Sequence, residues 1–138
     1  MTTSQYSLPQ SERINSKKQI DRLFRGGGSK AMTASPLRVV YMTDERGEDA
    51  REPMAQMMVS VPKRCFKRAV KRNLVKRQVR EAYRLNKHIL VSRLAERGNA
   101  TVSMCFIWTA DRILPTAKVA ERMVNLLNRM SDKLAVAE

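Results

Sequence analysis

Apolar positions recur at helical spacing in some parts of the chain and alternate with polar ones in others, and these two periods divide it into elements. The longest helical pattern covers residues 66–87, FKRAVKRNLVKRQVREAYRLNK, which contain neither Gly nor Pro and set Leu74, Val75, Val79, Ala82 and Leu85 on one side. A shorter helix is predicted where Ser16 and Gln19 form an S-x-x-Q capping box. Ile20, Leu23 and Phe24 give it an apolar face and Gly26-Gly27-Gly28 stops it. A last helix opens at Leu114-Pro115-Thr116 with Val119, Met123, Leu126, Leu127 and Met130 as its stripe, and 134–138 are expected to fray. Residues 88–97 either lengthen the central helix or form a second short one before Gly98-Asn99.

Residues 37–43 (LRVVYMT) and 55–61 (AQMMVSV) have the composition of strands, and the polar stretch between them contains Gly47 and Pro53. They are expected to be antiparallel neighbours joined by an exposed connection. A weak alternation over 29–35 offers a further short strand. Residues 101–109 (TVSMCFIWT) read as a buried strand with Val102, Met104, Phe106 and Trp108 on one face. Residues 1–15, broken by Pro9, are expected to be irregular and flexible, with Leu8 and Ile14 able to lie against the body. The order is helix, two or three strands, helix, strand, helix, an α+β arrangement of helices on one sheet. At 138 residues, 1–138 is expected to be a single domain.

Charge changes this picture from a fold to a function class. The chain has 27 Lys+Arg against 13 Asp+Glu, a formal net charge of +14, which is more than solubility requires. On the central helix, Asn73, Lys76, Arg77, Arg80, Arg84 and Lys87 fall within roughly a third of the circumference, opposite the apolar side. Glu81 is the one acid in that stretch and can pair with Arg77 or Arg84. Lys76 with Arg80, and Arg80 with Arg84, are like-charge pairs at the spacing that destabilises a helix, so the face is built to meet a polyanion. No apolar run approaches the ~20 residues of a membrane span, and the N-terminal stretch has no apolar signal core, so a cytoplasmic nucleic-acid partner is expected rather than a membrane.

The residues for a self-sufficient enzyme are not visible. His88 is the only histidine, so one chain has no acid–base pair of imidazoles. Cys65 and Cys105 belong to no metal-ligand spacing, and the glycine triplet lacks a phosphate-loop spacing. Asp44, Glu45, Glu48, Asp49 and Glu52 cluster in a polar connection that would not pre-organise a metal site. No catalytic residue and no metal or cofactor site is expected on this chain. For single-stranded RNA a positive groove needs faces on which bases stack, and Phe24 and Tyr41 are the candidates.

Over 61–84, VPKRCFKRAVKRNLVKRQVREAYR, the chain resembles the bacterial ribonuclease P protein family, whose signature is a K-K/R turn followed by a helix with R-N-x-x-K-R-x-x-R-E. The matching residues are Lys63-Arg64, Arg72-Asn73, Lys76-Arg77, Arg80 and Glu81. Leu74, the turn residues Cys65 to Arg68, and Ile20 depart from the usual pattern. The resemblance implies an α/β sandwich of order α-β-β-β-α-β-α with one mixed sheet. A left-handed crossover at the basic helix is part of it, as in the second domain of a small-subunit ribosomal protein. It also implies a protein that binds ribonuclease P RNA through Arg72, Asn73, Lys76, Arg77, Arg80 and Arg84. The 5′ leader of precursor tRNA would lie in a cleft marked by Ile20, Phe24, Tyr41, Lys63 and Arg64. Catalysis would rest with the RNA and its Mg²⁺, and no obligate protein partner is implied. A structural RNA-binding protein of ribosomal type and a DNA-binding module with the same basic helix are the rival readings.

Overall fold

A computed structural model describes residues 7–45, 53–98 and 100–136. Ser16 caps the first helix, α1 (Lys17–Arg25), its hydroxyl accepting the Gln19 N–H at 3.4 Å. The Gln19 side-chain amide reaches away from the cap to the sheet, as shown below. Gly26 ends the helix. A Cβ there would sit 2.5 Å from the Arg22 carbonyl oxygen, and Gly27 then turns the chain at φ 80°.

The weak alternation over 29–35 is a real strand, β1 (Lys30–Ala34), hairpinned to β2 (Leu37–Glu45). β3 (Ala55–Ser60) follows, then α2 (Ala69–Asn86), α3 (His88–Arg97), β4 (Ala100–Trp108) and α4 (Thr116–Val136). Residues 66–68 are not helical as expected, since Phe66 turns inward and is buried, and Arg68 is the N-cap. The Arg72 guanidinium closes this turn by donating to the carbonyls of Phe66 at 2.7 Å and Lys67 at 2.8 Å. At the other end α4 extends to Val136, with Leu134 buried.

The sheet corrects one expectation. β2 and β3 are not neighbours: the order is β1-β2-β4-β3, with β4 antiparallel to β2 and parallel to β3. β4 takes the middle because it is the most buried strand, six of its nine residues being buried, whereas β2 exposes Arg38, Thr43 and Glu45. The parallel pair β3 and β4 is joined through α2 and α3.

Register sorts the side chains. Leu37, Val39 and Tyr41 lie opposite Trp108, Phe106 and Met104, and with Met57 they face α2, α3 and α4 in one core. Val75, Val79, Ala82 and Tyr83 of α2 fill that core, and the Tyr83 and Phe106 rings meet at 5.9 Å. Leu74 and Leu85, expected on the dry side, are each 44% exposed, because α2 buries a narrow stripe and they sit at its rim. The other face of the sheet carries Val40, Met42, Asp44, Gln56, Met58, Ser103 and Ile107, and among the described helices α1 lies over it.

Residues 10–14 are set against the edge of the sheet. Residues Gln10–Glu12 form a 3-10 turn, Arg13 bridges to Met57 at the outer edge of β3, and the Ile14 N–H donates to the Met57 carbonyl at 2.9 Å. No described helix is long and apolar enough to cross a membrane. Glu48, Asp49 and Glu52 lie outside the described residues.

Candidate nucleic-acid interface

The cationic face of α2 exists because its apolar stripe fixes the helix rotation. With Val75 and Val79 buried, Asn73 and Arg77 stand exposed, and Lys76, Arg80 and Arg84 are half-buried. Arg84 reaches back one turn to Glu81, with Nε–Oε2 at 3.0 Å, so the helix's one acid is spent there and holds no other stripe cation. Lys76 and Arg80 converge with Arg13 on a hollow of about 210 Å³ against Met57 to Val59 of β3. Burial, and then the nearby guanidinium groups of Arg13 and Arg77, hold the Arg80 pKa below its ordinary value. Like charges crowded around a hollow with no lining acid form a site for anionic oxygens.

One predicted member of the stripe, Lys87, and the predicted RNA-binding residue Arg72 beside it act differently. Lys87 is 6% exposed and its ammonium donates to the Ser7 carbonyl and to Glu12 Oε1 at 2.7 Å, clamping the N-terminal stretch instead of facing outward. Arg72 is engaged with the carbonyls of its own turn. Arg13 was missed because it lies in a stretch with no periodicity, and only its pairing with β3 brings it beside Arg80.

The second surface is the cleft between α1 and the open face of the sheet. Gln19 Nε2 donates to Gln56 Oε1 at 2.6 Å and to Ser103 Oγ at 3.1 Å, and Arg22 pairs with Asp44 at 2.9 Å, so α1 is tied to three strands. These contacts line a cavity of about 580 Å³ together with Ser16, Lys18 and Thr101. Phe24 is 48% exposed on α1, one turn beyond the half-buried Ile20. Lys63 and Arg64 are exposed in the turn past the far end of β3. Gln56, Ser103, Met58 and Val40 were also missed, although each is the opposite-phase residue of an alternating strand.

Tyr41 is not part of this cleft. The period of two puts its side chain on the helix-covered face, 3% exposed, and Val40 and Met42 occupy the cleft face instead. Burial raises its phenol pKa, against an opposing effect of Arg129 on α4.

Known proteins resemble this chain in sequence and in fold. The model of the family described as Ribonuclease P matches residues 8–130. A ribonuclease P protein component from Porphyromonas gingivalis is 44% identical over 117 residues, covering 85% of this chain and 80% of the relative. One from Chlorobaculum tepidum is 35% identical over 107 residues, covering 75% and 68%. Among solved structures, the ribonuclease P protein from Thermotoga maritima superposes with a TM-score of 0.61 at 21% identity, covering 86% of this chain and 96% of that one, a likeness of fold. A fold, a basic helix and a family match over most of the chain agree: the chain belongs to the ribonuclease P protein family.

Proposed function

We propose that this chain is the protein component of a ribonuclease P ribonucleoprotein, an endoribonuclease that removes the 5′ leader from precursor tRNA in the cytoplasm. The α2 stripe, Asn73, Lys76, Arg77, Arg80 and Arg84, with Arg13 beside it, binds the backbone of the ribonuclease P RNA. The leader of precursor tRNA lies in the cleft under α1, where Phe24 and Ile20 offer a stacking face and Lys63-Arg64 meet phosphates at the far end of β3. The phosphodiester is cut by the RNA and the Mg²⁺ it holds. The protein's share is capture and positioning, because a fixed array of cations lowers the cost of bringing two polyanions together.

The observation that carries this reading is the convergence of Arg13, Lys76 and Arg80 on one acid-free hollow in a chain of this family. Cleavage of a precursor tRNA at low Mg²⁺ by a bacterial ribonuclease P RNA, with and without the protein, tests it. Stimulation is expected, and loss of stimulation in a Lys76→Ala/Arg77→Ala/Arg80→Ala variant that keeps its circular dichroism. Arg72 is left intact because its removal would disturb the turn. RNA binding without stimulation would overturn this in favour of a structural RNA-binding protein.

A further inference from the structure

On the opposite side of the molecule from α2's stripe, the outer strand β1 and the C-terminal half of α4 enclose two adjoining hollows of about 630 and 310 Å³. Both are lined by Lys30, Tyr41 and Lys133. Arg129 and Asp132 complete the larger and Arg97 the smaller. Four cations from three helices and strands thus face one groove that holds a single acid. Some cations elsewhere on the surface meet carboxylates, as in Arg22 with Asp44, Arg93 with Glu96 and Lys118 with Glu121. In the groove none of the four forms an ion pair among the described residues. Arg129 donates to the Thr33 carbonyl and Asn125, and Arg97 to the Leu134 carbonyl.

Lys133 alone would be explained as a cation in the last turn of a helix. Arg97 stands likewise in the last turn of α3 and donates to the Leu134 carbonyl of α4, whereas Lys30 and Arg129 are in no helix's last turn, so helix ends leave half of this positive charge unexplained and free to attract an anion. The Tyr41 ring is in the core, yet the residue lines both hollows and adds a phenol beside the cations.

We propose that the β1–α4 groove is a second RNA site, taking the sugar-phosphate backbone of a segment other than those bound by α2 and the α1 cleft, with Lys30, Arg97, Arg129 and Lys133 on phosphate oxygens and the Tyr41 hydroxyl as a hydrogen-bond partner. The inference rests on the reading that the chain works on RNA. It makes the protein a bridge gripped from two edges of its sheet.

Cys65 and Cys105 are buried, so a cysteine placed at the exposed Ala31 can carry a tethered hydroxyl-radical source selectively, and one at Leu74 reports on α2. Each labelled protein is assembled with ribonuclease P RNA and precursor tRNA. Cleavage from position 31 at nucleotides distinct from those cut from position 74 is expected. A Lys30→Ala/Lys133→Ala variant should remove it, weaken binding about twenty-five-fold near 0.1 M salt, and reduce the log–log salt slope by about 1.4, the loss of two single-strand phosphate contacts. Cleavage from 74 with none from 31 overturns the proposal, as does unchanged affinity in the double variant. Silence from both positions removes the RNA reading beneath it. A concentration-dependent dimer abolished by the double variant would assign the groove to a second copy instead.

Discussion

Lys87 and Arg72 show how a residue's neighbours decide its task. Arg72 lies on the basic helix and Lys87 caps its C-terminus, and composition alone would assign both to the polyanion. Lys87 is instead sealed beneath the N-terminal stretch against Glu12, whose side chain is 18% exposed. Removing one partner of a largely buried pair leaves the other charge uncompensated. Lys87→Met is therefore expected to lower unfolding stability by about 2–3 kcal/mol in urea titrations, and Glu12→Gln/Lys87→Met by clearly less. A loss in the double variant equal to the sum of the two single losses would show that the pair is not coupled.

Among elements, α1 separates two aromatic residues that sequence reasoning had placed together. Phe24 stands out from the helix, and Tyr41 lies behind the sheet. Phe24→Ala should leave thermal stability nearly unchanged while weakening binding of a leader-bearing precursor by about five- to a hundredfold, the range of one lost base stack. Tyr41→Phe should leave leader affinity unaltered in the same titration. The elements themselves were legible, since each strand and helix carries its own period. The phase of Tyr41 was equally legible in the alternation of Leu37, Val39 and Tyr41, which sets it on the core face, but an aromatic ring beside a basic helix also suits base stacking. Strand pairing was not legible, because β2 and β3 look alike and only contacts with the distant β4 separate them. Nor could the site role of Arg13 be seen, as it depends on an edge bridge and not on any local pattern.

For the molecule as a whole, the core fixes how stability responds to pH. Burial pushes the Cys105 thiol up to about 12, and burial, with Glu12 as a lesser cause, raises the Tyr83 phenol. Each group stays protonated in the folded chain at a pH where the unfolded chain releases the proton. Stability is thus full below about pH 8.5 and falls above it, with a slope approaching 1.4 kcal/mol per pH unit from the thiol alone. Cys105→Val should flatten the decline between pH 9 and 10 in denaturant titrations, and an unchanged slope would place the titrating group elsewhere. The same core depends on β4, which slots between two strands made before it. During synthesis β1 and β2 can pair as soon as they emerge. β3 and the cationic α2 must wait until 100–108 have left the ribosome. Through that interval the growing chain displays its most positive helix undocked, beside a particle built largely of RNA, so the property that serves the finished protein is a hazard to the unfinished one.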